Sequence, residues 1–123
     1  MFAAPGGART ANMNDQLPFQ KLDVYKVAKE LARRVHEAQI RDAELRDQAT
    51  RASKSAFLGL CEGLPSDSAG VRRRHFEIAN NSLHEVIGAV DLAETIGVVD
   101  AGSAKEILGL AVRLKPMIRR LPR

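Results

Sequence analysis

Four stretches of this chain repeat apolar residues at three- and four-residue steps, and nowhere does a period-two alternation persist. A half-buried strand needs every second side chain on one face, whereas a helix needs one stripe of a 3.6-residue turn. Asn-Gly and Asp-Gly hairpin pairs are also absent. The pattern therefore restricts the chain to helices.

The first stretch, about residues 23–39, carries Val24, Ala28, Leu31, Val35 and Ala38 on one stripe, with Asp23 placed to cap it. The second, about 42–62, carries Leu45, Ala49, Ala52, Ala56 and Leu60, and Gly63 then Pro65 are expected to stop it. Its buried side is made of small residues, which let helix axes approach closely. The third, about 68–96, is the longest, with Asp67 or Ser68 as cap and Val71, His75, Ile78, Ala79, Leu83, Val86, Val90 and Ala93 as its stripe. Arg73, Glu77, Asn80, His84, Asp91 and Thr95 make its polar face. A mixed row, Arg74, Ile78, Asn81, Glu85, Ala89, Leu92 and Ile96, suits a subunit interface, a buried polar network or a boundary with wet polar tips. The fourth starts at Ser103, where Ser103-Ala104-Lys105-Glu106 matches a capping box. Ile107, Ala111, Leu114, Ile118 and Leu121 supply its stripe, and Pro116 is expected to kink or end it near Lys115.

Short connections make successive helices antiparallel neighbours. The expected fold is an all-α, up-down-up-down antiparallel four-helix bundle over residues 18–123. Residues 1–17 are small, polar and without period, and are expected to form a flexible tail; Met13 is an alternative start to Met1. A chain of 123 residues makes one domain with a real core. With four Phe, one Tyr and no Trp, that core must be aliphatic.

Several function classes fall away. No stretch approaches a membrane helix, and no apolar segment follows a basic start as in a secretory signal. The single cysteine, Cys61, excludes a disulfide framework and a clustered-Cys zinc site. There is no phosphate loop, dinucleotide turn or nucleophile elbow. His75 and His84 are nine apart and diverge on a helix, and the Glu-x-x-His pair of di-iron bundles is missing. No enzyme activity, metal or cofactor is expected.

Charge is the remaining lead. Nineteen Lys and Arg against fifteen Asp and Glu give +4. Arg72-Arg73-Arg74 opens the third helix, and three consecutive positions splay over about 200°. Lys105, Arg113, Lys115, Arg119, Arg120 and Arg123 follow in the last stretch against one acid, Glu106. The residues Arg72, Arg73, Arg74, Arg113, Lys115, Arg119, Arg120 and Arg123 are the candidate phosphate contacts; a solvated face is the plainer reading. No aromatic side chain is interleaved with them, so base stacking on single strands is not expected.

Three stretches in order carry a family likeness: Phe19-Gln20-Lys21-Leu22-Asp23-Val24-Tyr25-Lys26-Val27-Ala28; Leu45-Arg46-Asp47-Gln48 with Arg51-Ala52-Ser53-Lys54-Ser55 and Cys61-Glu62-Gly63; and Arg74-His75-Phe76-Glu77-Ile78-Ala79-Asn80-Asn81-Ser82-Leu83-His84-Glu85. Together they resemble the bacterial four-helix-bundle proteins called 23S rRNA intervening-sequence proteins, from about Phe19 to Leu121. Two departures stand out. The family's Asn-Ile-Ala-Glu-Gly reads Gly59-Leu60-Cys61-Glu62-Gly63 here, and its Gly-Ser on the third helix reads Asn81-Ser82.

The resemblance implies a cytoplasmic, non-enzymatic protein that assembles with itself, as a pentameric ring in known cases. It also implies RNA or DNA as a partner, or a reverse transcriptase or other protein, since relatives accompany reverse transcriptases in retroelements. The matched polar residues Arg51, Ser55, Glu62, Ser82 and Glu85 fall on or near packing faces. Arg51 with Glu62 or Glu85 is expected to form a polar network within or between subunits. The competing expectation is a protein-interaction scaffold that touches no nucleic acid.

Overall fold

A computed structural model describes residues 16–123. The expected tail, residues 1–17, lies outside the described residues except for Gln16 and Leu17. A 3-10 turn, Pro18–Lys21, leads into α1, Asp23–Ala38. Then come α2, Ala43–Gly63, α3, Ala69–Thr95, and α4, Ala101–Arg119, with no strand among the described residues. Each helix packs on its neighbours in the cyclic order α1, α2, α3, α4, and the α2–α3 seam is the most extensive. Direction is set by cross-helix partners. Gln48 meets Glu85, Ser55 meets Ser82 and Gly63 meets Phe76, so α2 and α3 run antiparallel. The expected bundle is the observed one.

The core is aliphatic apart from two buried aromatics, Phe76 and Tyr25. Leu31, Ile40, Leu60, Phe76, Leu83, Ile107, Leu114 and Ile118 are its largest fully buried side chains. Ile40 and Val99 extend it into the two loops at one end of the bundle. There the Arg41 amide donates to the Val98 carbonyl at 2.8 Å and the Arg41 guanidinium to the Gly97 carbonyl at 2.8 Å, tying the α1–α2 and α3–α4 loops together.

Several local expectations need correction. Asp23 is not the cap of α1; Leu22 holds that position and Asp23 sits in the first turn, where its carboxylate faces the positive helix end. Ser103 is not the cap of α4; Asp100 is, its Oδ2 accepting from the Ser103 amide at 3.0 Å, and Glu106 reaches Arg34 instead. The cap of α3 is Ser68, one of the two residues expected there, which accepts from the Val71 amide at 3.2 Å. Pro116 does not end α4, which continues to Arg119.

On α3 the expected Ala79, Leu83, Val86, Val90 and Ala93 are buried, but Phe76 and not Ile78 leads the stripe at its N-terminal end. Phe76 is 1% exposed and central, while Ile78 is 40% exposed. At 100° per residue Phe76, seven before Leu83, lies almost beneath it, whereas Ile78 turns outward beyond Ala79.

Gly63 ends α2 as expected and has a second job. It is the last residue of α2 and does not adopt positive φ; among the described residues only Gln39 and Gly97 do. A Cβ at position 63 would lie 2.6 Å from Phe76 Cε1, so the glycine makes room for the core aromatic. Gly59, one turn earlier, makes room for the α3 backbone, with a Cβ meeting the His75 carbonyl oxygen at 3.0 Å. The small-sided α2 is thus the means by which α3 comes close.

Candidate functional site

The up-down topology sets the start of α3 beside the end of α4. The guanidinium of Arg123 lies 5.6 Å from the centroid of the Phe76 ring, which fixes that neighbourhood. Arg73 and Arg74, less than one turn before Phe76, are exposed, as are Arg119, Arg120 and Arg123, and Lys115 is half-buried. One end of the bundle therefore gathers six of the eight candidate cations.

The other two are placed differently. Arg72 turns inward, donating from Nη1 to the Ser66 carbonyl at 2.6 Å, and its buried Nε has no partner. It braces the α2–α3 loop and its head is withdrawn from the basic surface. Arg113 lines a separate groove between α1 and α4, alongside Glu30, Arg34, Lys105 and Glu106. Acids are interleaved there. Glu30 accepts from Arg33 and Arg34, and these hydrogen bonds, Arg33's first, hold its carboxyl below the usual range.

At the basic end a groove of about 380 Å³ runs between α3 and α4, lined by Glu77, Asn80, Asn81, Lys115, Arg119 and Arg123. Lys115 Nζ lies 2.7 Å from His84 Nε2 and 3.5 Å from Asn80 Oδ1. An ammonium only donates, so this contact needs an unprotonated Nε2 on His84. Among the described residues no carboxylate lies within ion-pair distance of Lys115, Arg119 or Arg123. Arg123 also donates to the Leu121 carbonyl at 2.8 Å and reaches the Ile118 and Arg119 carbonyls at 3.4 Å, covering carbonyls at the end of α4.

The polar positions of the family likeness lie along the outer α2–α3 seam. Ser82 Oγ and Ser55 Oγ are 2.9 Å apart, with Ser82 buried and Ser55 half-buried. Gln48 links two charges: its Nε2 donates to Glu85 at 3.2 Å, and its Oε1 accepts from Arg51 at 3.3 Å. Arg51 thus reaches Glu85 through Gln48, while Glu62 faces His75 at 3.7 Å. Arg51, Glu62 and Glu85 are exposed, so the arrangement is a surface seam and not an internal network. Asn81 also faces outward; close helix approach falls at Gly59, Gly63 and Ser82. Beside this seam Leu58 and Ile78 are exposed, and Leu92 and Ile96 continue the apolar row toward the other end of α3.

Sequence reasoning places Asn80 and His84 on a polar face without joining them to Lys115, and it does not single out Gln48. The i, i+4 spacing of Asn80 and His84 is the one local signal; their partner, 31 residues beyond His84, leaves no local trace. Cys61 is half-buried near the end of α2. Burial, with the Glu62 charge second, pushes its thiol pKa up, so it is a poor nucleophile at neutral pH. No group of three His, Cys, Asp or Glu suited to a metal occurs among the described residues. None of the described helices is long and apolar enough to cross a membrane.

These features define a small all-α bundle whose distinctive chemistry lies on its outer faces: a basic end and a mixed seam. The family model for 23S rRNA-intervening sequence proteins matches residues 20–120, nearly the whole bundle. The chain belongs to that family. No curated protein matches it.

Proposed function

We propose that this protein is a non-enzymatic, homo-oligomeric bundle that binds RNA or DNA through backbone phosphates. The observation that carries the reading is the convergence of Arg73, Arg74, Lys115, Arg119, Arg120 and Arg123 on one end of the bundle, where Glu77 is the one acid lining the groove of Lys115, Arg119 and Arg123. Phosphate contact from such a surface is sequence-tolerant and salt-sensitive. Self-assembly uses the α2–α3 seam, where exposed Leu58, Ile78, Leu92 and Ile96 lie among charges of both signs. A pentameric ring at +4 per chain would carry about +20, which attracts polyanions at long range.

The test is fluorescence anisotropy of the purified chain with a short structured RNA from about 50 to 200 mM salt, with mass measured by light scattering. Binding that falls steeply with salt, from a species larger than one chain, supports the proposal. No binding at the lowest salt overturns the nucleic-acid part, and a monomer at micromolar concentration overturns the assembly part.

A second reading is favoured by the same apolar row. In it the seam docks a different protein, a reverse transcriptase or another partner, and nucleic acid is not bound. Exposed apolar residues clustered on one face mark interaction surfaces. Loss of RNA binding together with a monomeric mass would move the search there.

A further inference from the structure

The basic end holds more than a diffuse patch. Its α3–α4 groove brings Lys115, Arg119 and Arg123 together from α4 and the segment beyond it, with the side-chain amides of Asn80 and Asn81 on the α3 wall. Three cations and one carboxylate, Glu77, leave an excess of positive charge with no described carboxylate paired to the cations. Two of the cations are already held in place. Lys115 is fixed by His84 Nε2 at 2.7 Å and Asn80 Oδ1 at 3.5 Å. Arg123 rests over the Phe76 ring at 5.6 Å and donates to carbonyls at the end of α4. Those carbonyls would otherwise repel an anion, since a helix C-terminus is its negative end. The partners of Lys115 are neutral acceptors, so its charge is oriented without being cancelled.

We propose that this groove is a clasp for a single phosphate group, with Lys115, Arg119 and Arg123 as its charge donors and Asn80 and Asn81 as neutral donors. His84 is a positioning residue that acts through Lys115. Fixed donors lose less freedom on binding than free surface lysines and arginines do. The ligand chemistry is a tetrahedral phosphate oxyanion, carried either by a nucleic-acid backbone or by a small phosphate. This deepens the nucleic-acid reading and rests on it for the polymer source alone.

The experiment is an NMR titration of the full chain with inorganic phosphate at constant ionic strength, repeated for Lys115→Met and Arg113→Met. Methionine keeps the apolar stem, and an unchanged thermal midpoint confirms folding. Saturable shifts at the Asn80 and Asn81 side-chain amides are expected in the wild type and in Arg113→Met, and are expected to vanish in Lys115→Met. Shifts spread evenly over the surface, or kept in Lys115→Met, overturn the clasp. His84→Leu should weaken phosphate binding several-fold at unchanged stability, with His84→Gln restoring part of it through its acceptor oxygen; equal binding by all three overturns the positioning role.

A parallel titration with short structured RNA separates the sources. If the polymer is the ligand, Lys115→Met weakens RNA binding about tenfold, the loss of roughly one charge-assisted bond. If a small phosphate is the ligand, the amide shifts with phosphate remain while RNA is bound equally by both chains or by neither. RNA binding with no amide shifts sinks the clasp alone, and amide shifts without RNA binding sink the nucleic-acid reading alone.

Discussion

Gly63→Ala is the sharpest test of how the bundle is built. The added methyl would stand 2.6 Å from Phe76 Cε1, 3.0 Å from Cδ1 and 3.3 Å from His75 Cβ. Phe76 is 1% exposed and cannot swing aside into solvent. Overpacking of this kind costs about 1–3 kcal/mol. Alanine returns at most about 1 kcal/mol of helix propensity, and less at the last residue of a helix. The net expectation is a loss of about 1–2 kcal/mol, or a thermal midpoint lower by roughly 4–8 °C. The control is Gly109→Ala, where an added Cβ meets nothing within 4 Å; it should gain about 0.5–1 kcal/mol. Urea unfolding followed by circular dichroism, at one protein concentration, reads both. If Gly63→Ala is as stable as the wild type, or both substitutions shift stability the same way, the close-packing role of the α2 glycines is refuted.

Other consequences concern packing, reactivity and acid response. Phe76→Ala should cost about 3–5 kcal/mol by thermal or urea unfolding, whereas Ile78→Ala, on the exposed side of α3, should cost less than about 1 kcal/mol in the dissociated chain. Cys61, its thiol pKa raised mainly by burial, should react with a thiol probe more slowly at pH 7 than a free thiol and recover that rate on unfolding. Glu30, held low by its bonds from Arg33 and then Arg34, should titrate below its usual value of 4.5 in a carbon-detected NMR series. Because its folded-state value is depressed, its contribution to stability is present above the unfolded-state value and fades as pH falls through the folded one.

Much of the fold is legible in the sequence because the 3.6-residue stripes are strong and the breaks between them short. Ala28, Leu31 and Val35 on α1, and Ile107, Ala111, Leu114 and Ile118 on α4, are buried as their spacing requires. Errors arise where local signals compete. Ile78 and Phe76 are both apolar and two residues apart, so either could lead the α3 stripe; the space left by Gly63 decides for Phe76. Ser103 and Asp100 both offer a capping oxygen, and Asp100 takes the role three residues earlier.

The candidate site is legible as composition and only partly as geometry. Antiparallel order brings Arg73 and Arg74 to the arginines at the end of α4, which the topology implies. The inward turn of Arg72, the separation of Arg113 and the approach of Lys115 to His84 depend on which side chain faces which helix. Spacing along one helix does not contain that information.

The most direct test of the basic end as a phosphate-binding surface is the slope of log affinity against log salt for a short RNA. It should be measured for the wild type, for the combined Arg73→Gln, Arg119→Gln and Arg120→Gln variant, and for Arg113→Gln. Every phosphate that a variant no longer neutralises makes the slope shallower by about 0.7–0.9. The combined variant should bind more weakly with a shallower slope by about two, and Arg113→Gln should match the wild type. Equal slopes in all three chains, or no salt-dependent binding at all, would contradict a phosphate-binding role for this end of the bundle.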